Sequence, residues 1–490
     1  MHRTRRPRRT RITALATLAM LNLFTLAAGV AVAHMLPPRL AALRIPVAAA
    51  RPVLRPGTVL PPVAAGTAGS GSGADPGSLP TAAGLAAMLG STLPAGETGP
   101  QVGLAVADAR TGKVLYAENG STLATPASTT KVATAVAALA VLGPDARFTT
   151  SVRRVSGGIV LVGGGDPILA VNGYPSSDYP QPATLAALAA GTARALKAEG
   201  DTHVQLGYDT SRYTAPDMAP GWTDALITTG NVTPIVSLEA DQGRLTPAGA
   251  LEDSDDAVNF TPRTTDPAGL TVTAFANLLQ RGGITVSGSP AETTAPSGAP
   301  LLASVSSPPL SQVAEQMLRE SNNVIAENIA RQLAIAMGLP ATFGGAADAV
   351  MTELRRLGVT TPISLVDGSG LSPQDGIAPE TLVRVLEVAS AGPSRLRGAI
   401  TGLPVAGFSG TLSAGGSVFG GIDGAARGVV RAKTGNLDTV ATLAGLVYDH
   451  SGALLIFAIM APQVPDAGLL TAAAGAIDSA AAGLAACGCR

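Results

Sequence analysis

Apolar runs separated by glycine- and proline-rich turns divide this chain into a succession of strands and helices. Residues 102–107 and 114–117 are apolar runs on either side of a polar turn, which predicts a β-hairpin. An alanine-rich apolar segment at 132–142 follows Pro126 closely and stops at a Gly-Pro pair. A proline near the start and a breaker at the end are typical of a helix, so we expect a buried helix there.

The last third of the chain alternates between the two periodicities. Helical periodicity predicts three helices, at 310–337, 346–357 and 379–391. Strands are expected at 429–432, 440–448 and 454–460, with an apolar final helix at 468–486. A hairpin, helices, further strands and a terminal helix together predict an α+β fold, in which an antiparallel sheet is flanked by helices.

A region of different character interrupts this pattern. Between about 148 and 300, short β-like runs such as 159–162 alternate with turns and long Pro/Gly/Thr/Ser stretches. We interpret it as a β-rich inserted region, which separates a first part of the main domain at 81–147 from a second part at 301–490.

The N-terminus has the pattern of an export segment. A cluster of arginines precedes residues 12–33, which carry no charge and end in Ala31-Val32-Ala33. Residues 1–33 are therefore either a cleaved signal peptide or a membrane anchor. Residues 34–80 are rich in Pro, Ala and Gly and are predicted to be a flexible linker. Everything after residue 33 is expected to be extracytoplasmic, secreted or anchored to the plasma membrane.

Composition excludes several classes of function. The chain of 490 residues has a formal net charge of -1 and 14% charged residues, which disfavours a nucleic-acid partner. The four histidines and two cysteines form no cluster with metal-ligand spacing, so neither a metal nor a cofactor is expected. Cys487 and Cys489 are too close in sequence for an easy disulfide, although a strained one is an alternative, and we expect no catalytic role for them.

Three short motifs carry the candidate chemistry: Ser128-Thr-Thr-Lys131, Ser321-Asn-Asn323 and Lys433-Thr434-Gly435. A serine hydroxyl is a poor nucleophile until a base removes its proton. At the start of a helix, Lys131 at i+3 lies on the same face as Ser128, and a nearby cation or burial would make it neutral. Only four lysines occur in the chain, and two of them fall in these motifs.

In this order the motifs resemble the S-x-x-K, S-x-N and K-T-G set of the penicillin-recognising serine enzymes. Within that group the chain looks like a class C low-molecular-mass penicillin-binding protein, a D-alanyl-D-alanine carboxypeptidase/endopeptidase of the peptidase S13 type. In that family a large insertion separates the first two motifs, and here Ser321 follows Ser128 by 193 positions. Three further phrases resemble family elements: Gly164-Gly165-Asp166-Pro167, Pro220-Gly221-Trp222 and Asp367-Gly368-Ser369-Gly370-Leu371-Ser372.

The resemblance implies a role for each motif residue. Ser128 would be the acylated nucleophile, Lys131 its general base, and Ser321 the relay that carries a proton to the departing D-alanine. Asn323 would hold the substrate amide. The terminal carboxylate would be bound by the strand that contains Lys433, Thr434, Gly435 and Asn436, and the Asn436 N–H would also face the oxyanion. The partners implied are peptidoglycan stem peptides, with β-lactams as covalent inhibitors.

The sequence departs from the family pattern at two positions and leaves two alternatives open. Asn436 stands where the family often has Thr or Ser, and Pro373 stands where a basic residue is common. Asp166 is predicted to cap a turn rather than to contact a substrate amine. The alternatives to a carboxypeptidase are a β-lactamase or esterase with the same motifs, and a non-catalytic cell-wall-binding penicillin sensor.

Overall fold

A computed structural model describes residues 78–173, 179–245, 261–414, 418–422 and 424–489. The predicted signal or anchor segment at 1–33 lies outside these ranges, and so does nearly all of the predicted linker. Within the described residues the strands are β1 (Gly103–Asp108), β2 (Val114–Glu118), β3 (Thr149–Val155), β4 (Gly158–Val162), β5 (His203–Asp209), β6 (Thr285–Glu292), β7 (Leu301–Ser306), β8 (Ile363–Ser364), β9 (Gly376–Ile377), β10 (Arg431–Leu437), β11 (Val440–Tyr448) and β12 (Leu454–Ala461).

The helices in the same ranges are α1 (Ala82–Thr92), α2 (Ala95–Thr98), α3 (Thr130–Leu142), α4 (Leu185–Ala198), α5 (Ala225–Thr228), α6 (Pro267–Arg281), α7 (Leu310–Glu320), α8 (Asn323–Ala336), α9 (Phe343–Arg356), α10 (Pro379–Ala391), α11 (Gly398–Thr401) and α12 (Leu470–Ala486). The hairpin β1–β2, the strands β11 and β12 and the helices α3, α9, α10 and α12 confirm the elements predicted from periodicity. The fold is α+β, as predicted.

The main sheet has the strand order β10-β11-β12-β1-β2, and each neighbouring pair is antiparallel. Helices cover both faces. Along β12, Ile456 and Ala458 belong to a core shared with α3, α8, α9 and α10, whereas Leu455 and Phe457 belong to a core shared with α1 and α12. Because successive strand side chains point to opposite faces, burial on both sides explains why the β12 sequence is apolar throughout.

The inserted region forms a second sheet with the order β6-β5-β4-β3-β7. β3 pairs antiparallel with β4 and β7, whereas β4–β5 and β5–β6 are parallel. Parallel neighbours need crossover connections, and α4 and α6 supply them. The sequence interpretation as largely strand and loop missed both helices, although Thr184 caps α4 and Asp266 caps α6. β7 extends this sheet to Ser306, beyond the predicted end of the region at 300.

The prediction of one helix at 310–337 is wrong, because the helix is interrupted between α7 and α8. Ser321 ends α7 in the left-handed region, with φ 58° and ψ 33°. The Asn322 side chain then caps α8 by accepting a hydrogen bond from the Ile325 N–H at 3.1 Å. Asparagine side chains compete with helical backbone hydrogen bonds, and here that competition starts a new helix. The break projects Ser321 and Asn323 from a corner instead of from a continuous helical face.

The C-terminal residues close the fold behind the main sheet. Among the described residues, Ala467–Ala486 is the stretch long and apolar enough to span a bilayer, and half of it is buried inside the fold. Its residues Ile477 and Leu484 are fully buried in the core on this side of the main sheet, as expected of a core helix. Cys487 and Cys489 are joined in a disulfide, and the Thr81 N–H donates to the Cys489 carbonyl at 2.8 Å.

Candidate active site

Ser128 lies in a short 3-10 turn, Ala127–Thr129, directly before α3. The Lys131 Nζ is 2.8 Å from the Ser128 Oγ, 2.6 Å from the Asn323 Oδ1 and 2.8 Å from the Ser369 carbonyl oxygen. Lys131 is fully buried, and Ser128 is half-buried at the edge of a cleft. The i+3 spacing therefore brings the two side chains into direct contact, as the local helical geometry predicts.

The environment of Lys131 favours its neutral form. Burial lowers the pKa of Lys131 to about 7, because an ammonium group loses its hydration there. The carboxyl groups of Asp367, Glu327 and Asp375, when ionised, oppose this shift. A lysine with a pKa near 7 has a substantial neutral fraction at physiological pH, so it is able to accept the proton of a serine hydroxyl.

Lys433 is the second fully buried lysine at this site. Its Nζ donates to the Ser321 Oγ at 2.8 Å and to the Thr434 carbonyl oxygen at 2.8 Å. Burial lowers the pKa of Lys433 well below its usual value, and the nearby charge of Lys131 lowers it further. The structure thus brings the second and third motifs together, although 112 residues separate Ser321 from Lys433 in the chain.

β10 runs directly beside the turn that carries Ser128. A Cβ placed on Gly435 would lie 2.8 Å from the Pro126 carbonyl oxygen and 3.0 Å from the Ser128 nitrogen. Only glycine allows two backbones to approach this closely. The Thr442 Oγ1 on β11 donates to the same Pro126 carbonyl at 2.8 Å, which ties the sheet to the turn. Gly435 is therefore required by the close approach of strand and turn.

Asn323 connects Lys131 to the inserted region. Its Oδ1 accepts from Lys131, and its Nδ2 donates to the Asn231 carbonyl oxygen at 3.0 Å. Both ends of the amide are therefore engaged with the protein. Asn322, which the sequence analysis did not single out, donates its Nδ2 to the Gln242 Oε1 at 2.6 Å. The inserted region thus contacts the Ser-Asn-Asn corner at two points.

The loop 367–372 supplies contacts that the sequence analysis did not assign to the site. Gly370 has φ +77°, and a Cβ there would lie 1.9 Å from the Ala127 carbonyl oxygen. This close approach places the Ser369 carbonyl against Lys131. The Glu327 carboxylate accepts from the Gly368 N–H at 3.0 and 3.1 Å, and burial raises the pKa of Glu327 to about 8. The D-G-S-G-L-S phrase was the available signal, but it does not specify which atom contacts Lys131.

A cleft of about 500 Å³ opens above these groups. Residues from all three motifs and from the inserted region line it. Its lining includes Ser128, Ser321, Asn323, Thr434, Asn436 and Asn231. The Thr434 Oγ1 is 2.7 Å from the Thr411 Oγ1, while Asn436 is exposed to solvent. Ser128 and Ser321 thus line one accessible cavity, and each contacts the amine of a fully buried lysine, Lys131 or Lys433.

The remaining candidates lie elsewhere. Asp166 is buried, and its Oδ1 accepts from the Ile168 N–H at 3.1 Å, which is the predicted turn cap. His203 and His450 are the histidines within the described ranges, and neither lines the cleft, so these ranges form no Ser-His-Asp triad there. Over the described ranges, no group of three or more His, Cys, Asp or Glu side chains is arranged to hold a metal ion.

Comparison with known proteins places this geometry in context. The family model described as "D-Ala-D-Ala carboxypeptidase 3 (S13) family" matches residues 85–248 and 241–482. Carboxypeptidase DacB of Mycolicibacterium smegmatis is 36% identical over 435 residues, which cover 85% of this chain and 88% of that protein. The D-alanyl-D-alanine carboxypeptidase of an Actinomadura species is 30% identical and covers 72% of this chain and 76% of its own length.

A solved structure supports the same fold. Penicillin-binding protein 4 of Haemophilus influenzae superposes with a TM-score of 0.63 at 23% identity. The match covers 79% of this chain and 97% of that protein. At this level of identity the match shows that the two chains share an architecture.

Proposed function

The chain belongs to the D-Ala-D-Ala carboxypeptidase 3 (S13) family, and from that premise we propose how its own residues perform the reaction of a serine carboxypeptidase. The enzyme is a serine-type D-alanyl-D-alanine carboxypeptidase. The observation that carries the residue assignment is the 2.8 Å contact between the Ser128 Oγ and the Nζ of a fully buried Lys131 at the edge of the cleft.

In the proposed first step, neutral Lys131 removes the proton of Ser128, and the Oγ attacks the carbonyl carbon of the penultimate D-alanine. A C–O bond forms and the carbonyl oxygen becomes an oxyanion. The backbone N–H groups of Ser128 and Asn436 are the proposed donors to that oxygen, one from the turn and one from β10. The close packing at Gly435 supports this assignment, since it brings strand and turn together.

Collapse of the tetrahedral intermediate breaks the peptide C–N bond, and the leaving amine of D-alanine needs a proton. We assign this delivery to Ser321, whose Oγ accepts from Lys433 at 2.8 Å. Ser321 regains the proton that Lys131 took from Ser128, passed on through Lys433, so Lys131 is neutral again before the second step. The result is free D-alanine and an acyl ester on Ser128. Water then hydrolyses the ester, with Lys131 as the base that activates it, and the Ser128 hydroxyl is regenerated.

Substrate binding is proposed to use the third motif. Among the described residues, the buried Lys433 amine donates to the Ser321 Oγ and the Thr434 carbonyl and to no carboxylate. The negative charge of an incoming terminal carboxylate would therefore stabilise the ammonium form of Lys433. The Thr434 hydroxyl faces the same cavity and donates to that carboxylate. Asn323 holds the substrate amide only after exchanging one of its two protein contacts, because both ends of its side chain are engaged.

A fluorescent penicillin tests this assignment directly. The purified protein and Ser128→Ala are incubated with the probe, resolved on a denaturing gel, and assayed for D-alanine release from a stem peptide that ends in D-alanyl-D-alanine. We expect a stable label and D-alanine release from the wild type, and neither from Ser128→Ala. Lys113→Arg, a change at an exposed lysine outside the cleft, is the matched control and keeps both activities.

Three other results would contradict the proposal in different ways. Rapid loss of label with penicillin hydrolysis indicates a β-lactamase. A stable label without D-alanine release indicates a penicillin sensor. Absence of both label and hydrolysis removes Ser128 from the role of nucleophile.

The family acts on peptidoglycan, which places the enzyme in the cell envelope. We propose that residues 12–33 direct export and that the tether at 34–80 carries the catalytic part away from the membrane. N-terminal sequencing of the mature protein tests this. A chain beginning at His34 indicates a cleaved signal, and an intact N-terminus in the membrane fraction indicates an anchor. An intact N-terminus in the cytoplasm contradicts export.

We also propose that the sheet β3–β7, with α4 and α6, forms a separate domain inserted into the main one. Its own core supports this, since Val152, Leu206 and Phe275 pack together apart from the main sheet. Limited proteolysis should cut at its boundaries before it cuts within either sheet. Uniform cutting across both sheets contradicts the division.

A further inference from the structure

A segment of the inserted region reaches the loop behind the general base. The Trp222 Nε1 donates a hydrogen bond to the Asp367 Oδ2 at 3.0 Å. Next to it, the Ser372 Oγ donates to the Pro220 carbonyl oxygen at 2.7 Å. Trp222 is 9% exposed and Asp367 is fully buried. These two hydrogen bonds join residues 220–222 of the inserted region to loop 367–372.

Asp367 organises that loop from within. Its Oδ1 accepts from the backbone N–H groups of Ser369 at 3.0 Å and Gly370 at 2.7 Å, and its Oδ2 accepts from the Ser372 N–H at 2.7 Å. The Ser369 carbonyl oxygen, held in this way, accepts from the Lys131 Nζ at 2.8 Å. An unbroken series of contacts therefore runs from the Trp222 indole through Asp367 and Ser369 to the base.

We propose that Trp222 is a positioning residue for catalysis, which holds Asp367 and thereby the Ser369 carbonyl that fixes Lys131 against Ser128. This inference rests on the proposed role of Lys131 as the base. It gives the inserted region a part in the chemistry, because a residue outside the main domain sets the geometry of the catalytic lysine. A displacement of about 1 Å at a catalytic group is enough to lower a rate substantially.

The indole N–H is the feature that the proposal depends on. Trp222 also makes an edge-on contact with the Phe343 ring, at 5.2 Å between centroids. A phenylalanine at 222 keeps an aromatic ring at that contact but has no donor for Asp367. Trp222→Phe thus separates the positioning role from simple packing, because buried aromatic rings contribute to stability whether or not they donate a hydrogen bond.

The charged groups around Lys131 determine which way its titration moves. Lys433 faces it from β10, Glu327 from α8, and Asp367 and Asp375 from the loop that follows β8. Glu327 in turn interacts with Arg331 on α8. If the loop shifts while Lys131 stays buried, the protonated Lys131 loses the Ser369 acceptor and the Asp367 charge moves away, whereas Glu327 keeps its place on α8. Both changes disfavour the cation, so the pKa of Lys131 falls in Trp222→Phe.

The experiment measures the rate of Ser128 acylation by a fluorescent penicillin as a function of pH in the full-length protein. In Trp222→Phe we expect the maximal rate to fall about tenfold and the midpoint of the acid limb to move about half a unit lower. Tyr213→Phe is the matched control. This change removes a buried hydroxyl between the inserted region and α8, which donates to the Asn328 carbonyl at 3.3 Å and accepts from the Gln332 Nε2 at 3.1 Å. The Tyr213 hydroxyl makes no hydrogen bond to loop 367–372.

Each outcome decides the matter. A Trp222→Phe profile that keeps the wild-type midpoint, with a maximal rate within about twofold, overturns the inference. An equal shift in Tyr213→Phe also overturns it, since general loosening would then be the cause. If Trp222→Phe does not fold, Ser372→Ala removes the bond to Pro220, and a smaller shift in the same direction supports the proposal whereas an unchanged profile overturns it. A wild-type protein that takes no label refutes the proposed function itself.

Discussion

Lowering the pH through 7 should slow the acylation of Ser128 by protonating Lys131. Burial lowers the pKa of Lys131 to about 7. With that value, the neutral fraction of the lysine is about 0.9 at pH 8 and about 0.1 at pH 6, so the rate falls roughly tenfold between them. The sign follows from the proposed role of Lys131, because only an unprotonated amine accepts the serine proton.

Lys131→Arg tests the same reasoning by substitution. An arginine stays protonated throughout this range, so it cannot act as the base. Loss of a positioned general base costs roughly 10²–10⁴ in rate, and the residual activity should lack the acid limb near pH 7. Lys113→Arg is the control for the same exchange at an exposed position and should reproduce the wild-type profile.

The assay is the initial rate of penicillin labelling, measured by stopped reactions at a series of pH values with the folded fraction checked at each one. A wild-type rate that is flat between about pH 6 and 8 would refute the assignment of Lys131 as the titrating base. So would an acid limb that persists unchanged in Lys131→Arg. In either case another group must remove the serine proton.

Three further predictions follow from the packing and titration of buried residues. Gly370→Ala should reduce the labelling rate by more than about tenfold, because a Cβ 1.9 Å from the Ala127 carbonyl oxygen would displace the loop beside Lys131. Labelling kinetics test this, and a wild-type rate would contradict it. Gly435→Ala should lower both the melting temperature and the labelling rate, since its Cβ would lie 3.0 Å from the Ser128 nitrogen; a variant with full activity would show that β10 and the turn tolerate separation. Burial raises the pKa of Asp166 to about 7, so the folded protein binds this proton more tightly than the unfolded chain and loses stability as the pH rises from about 4 to about 7. Asp166→Asn should therefore gain melting temperature relative to the wild type at pH 8 more than at pH 5, and an equal difference at both pH values would argue against the raised pKa.

The break at Ser321 shows how a strong periodic pattern misleads. The apolar positions of α7 and α8 continue in one helical pattern, and the sequence therefore predicted a single helix. Asn322 is a residue type that favours the N-cap position of a helix, and such a cap stabilises a helix start by about 1 kcal/mol. The pattern of apolar positions does not include this local preference, so it did not predict a new helix start there. The corner is stabilised by tertiary contacts, among them the hydrogen bonds from Lys433 to Ser321 and from Asn322 to Gln242.

The sequence by itself determined what depends on neighbours along the chain. The Ser128–Lys131 pair follows from i+3 spacing on one helix, the β1–β2 hairpin from two runs around a turn, and the α+β class from the order of elements. The roles of the motif residues stay predictions until the variants are assayed. Tertiary structure alone decided which backbone oxygen contacts Lys131 and where the inserted region meets loop 367–372. Ser369, Glu327 and the Trp222–Asp367 pair lie far from Lys131 in sequence, and no local preference encodes contacts that form only when separate elements pack together.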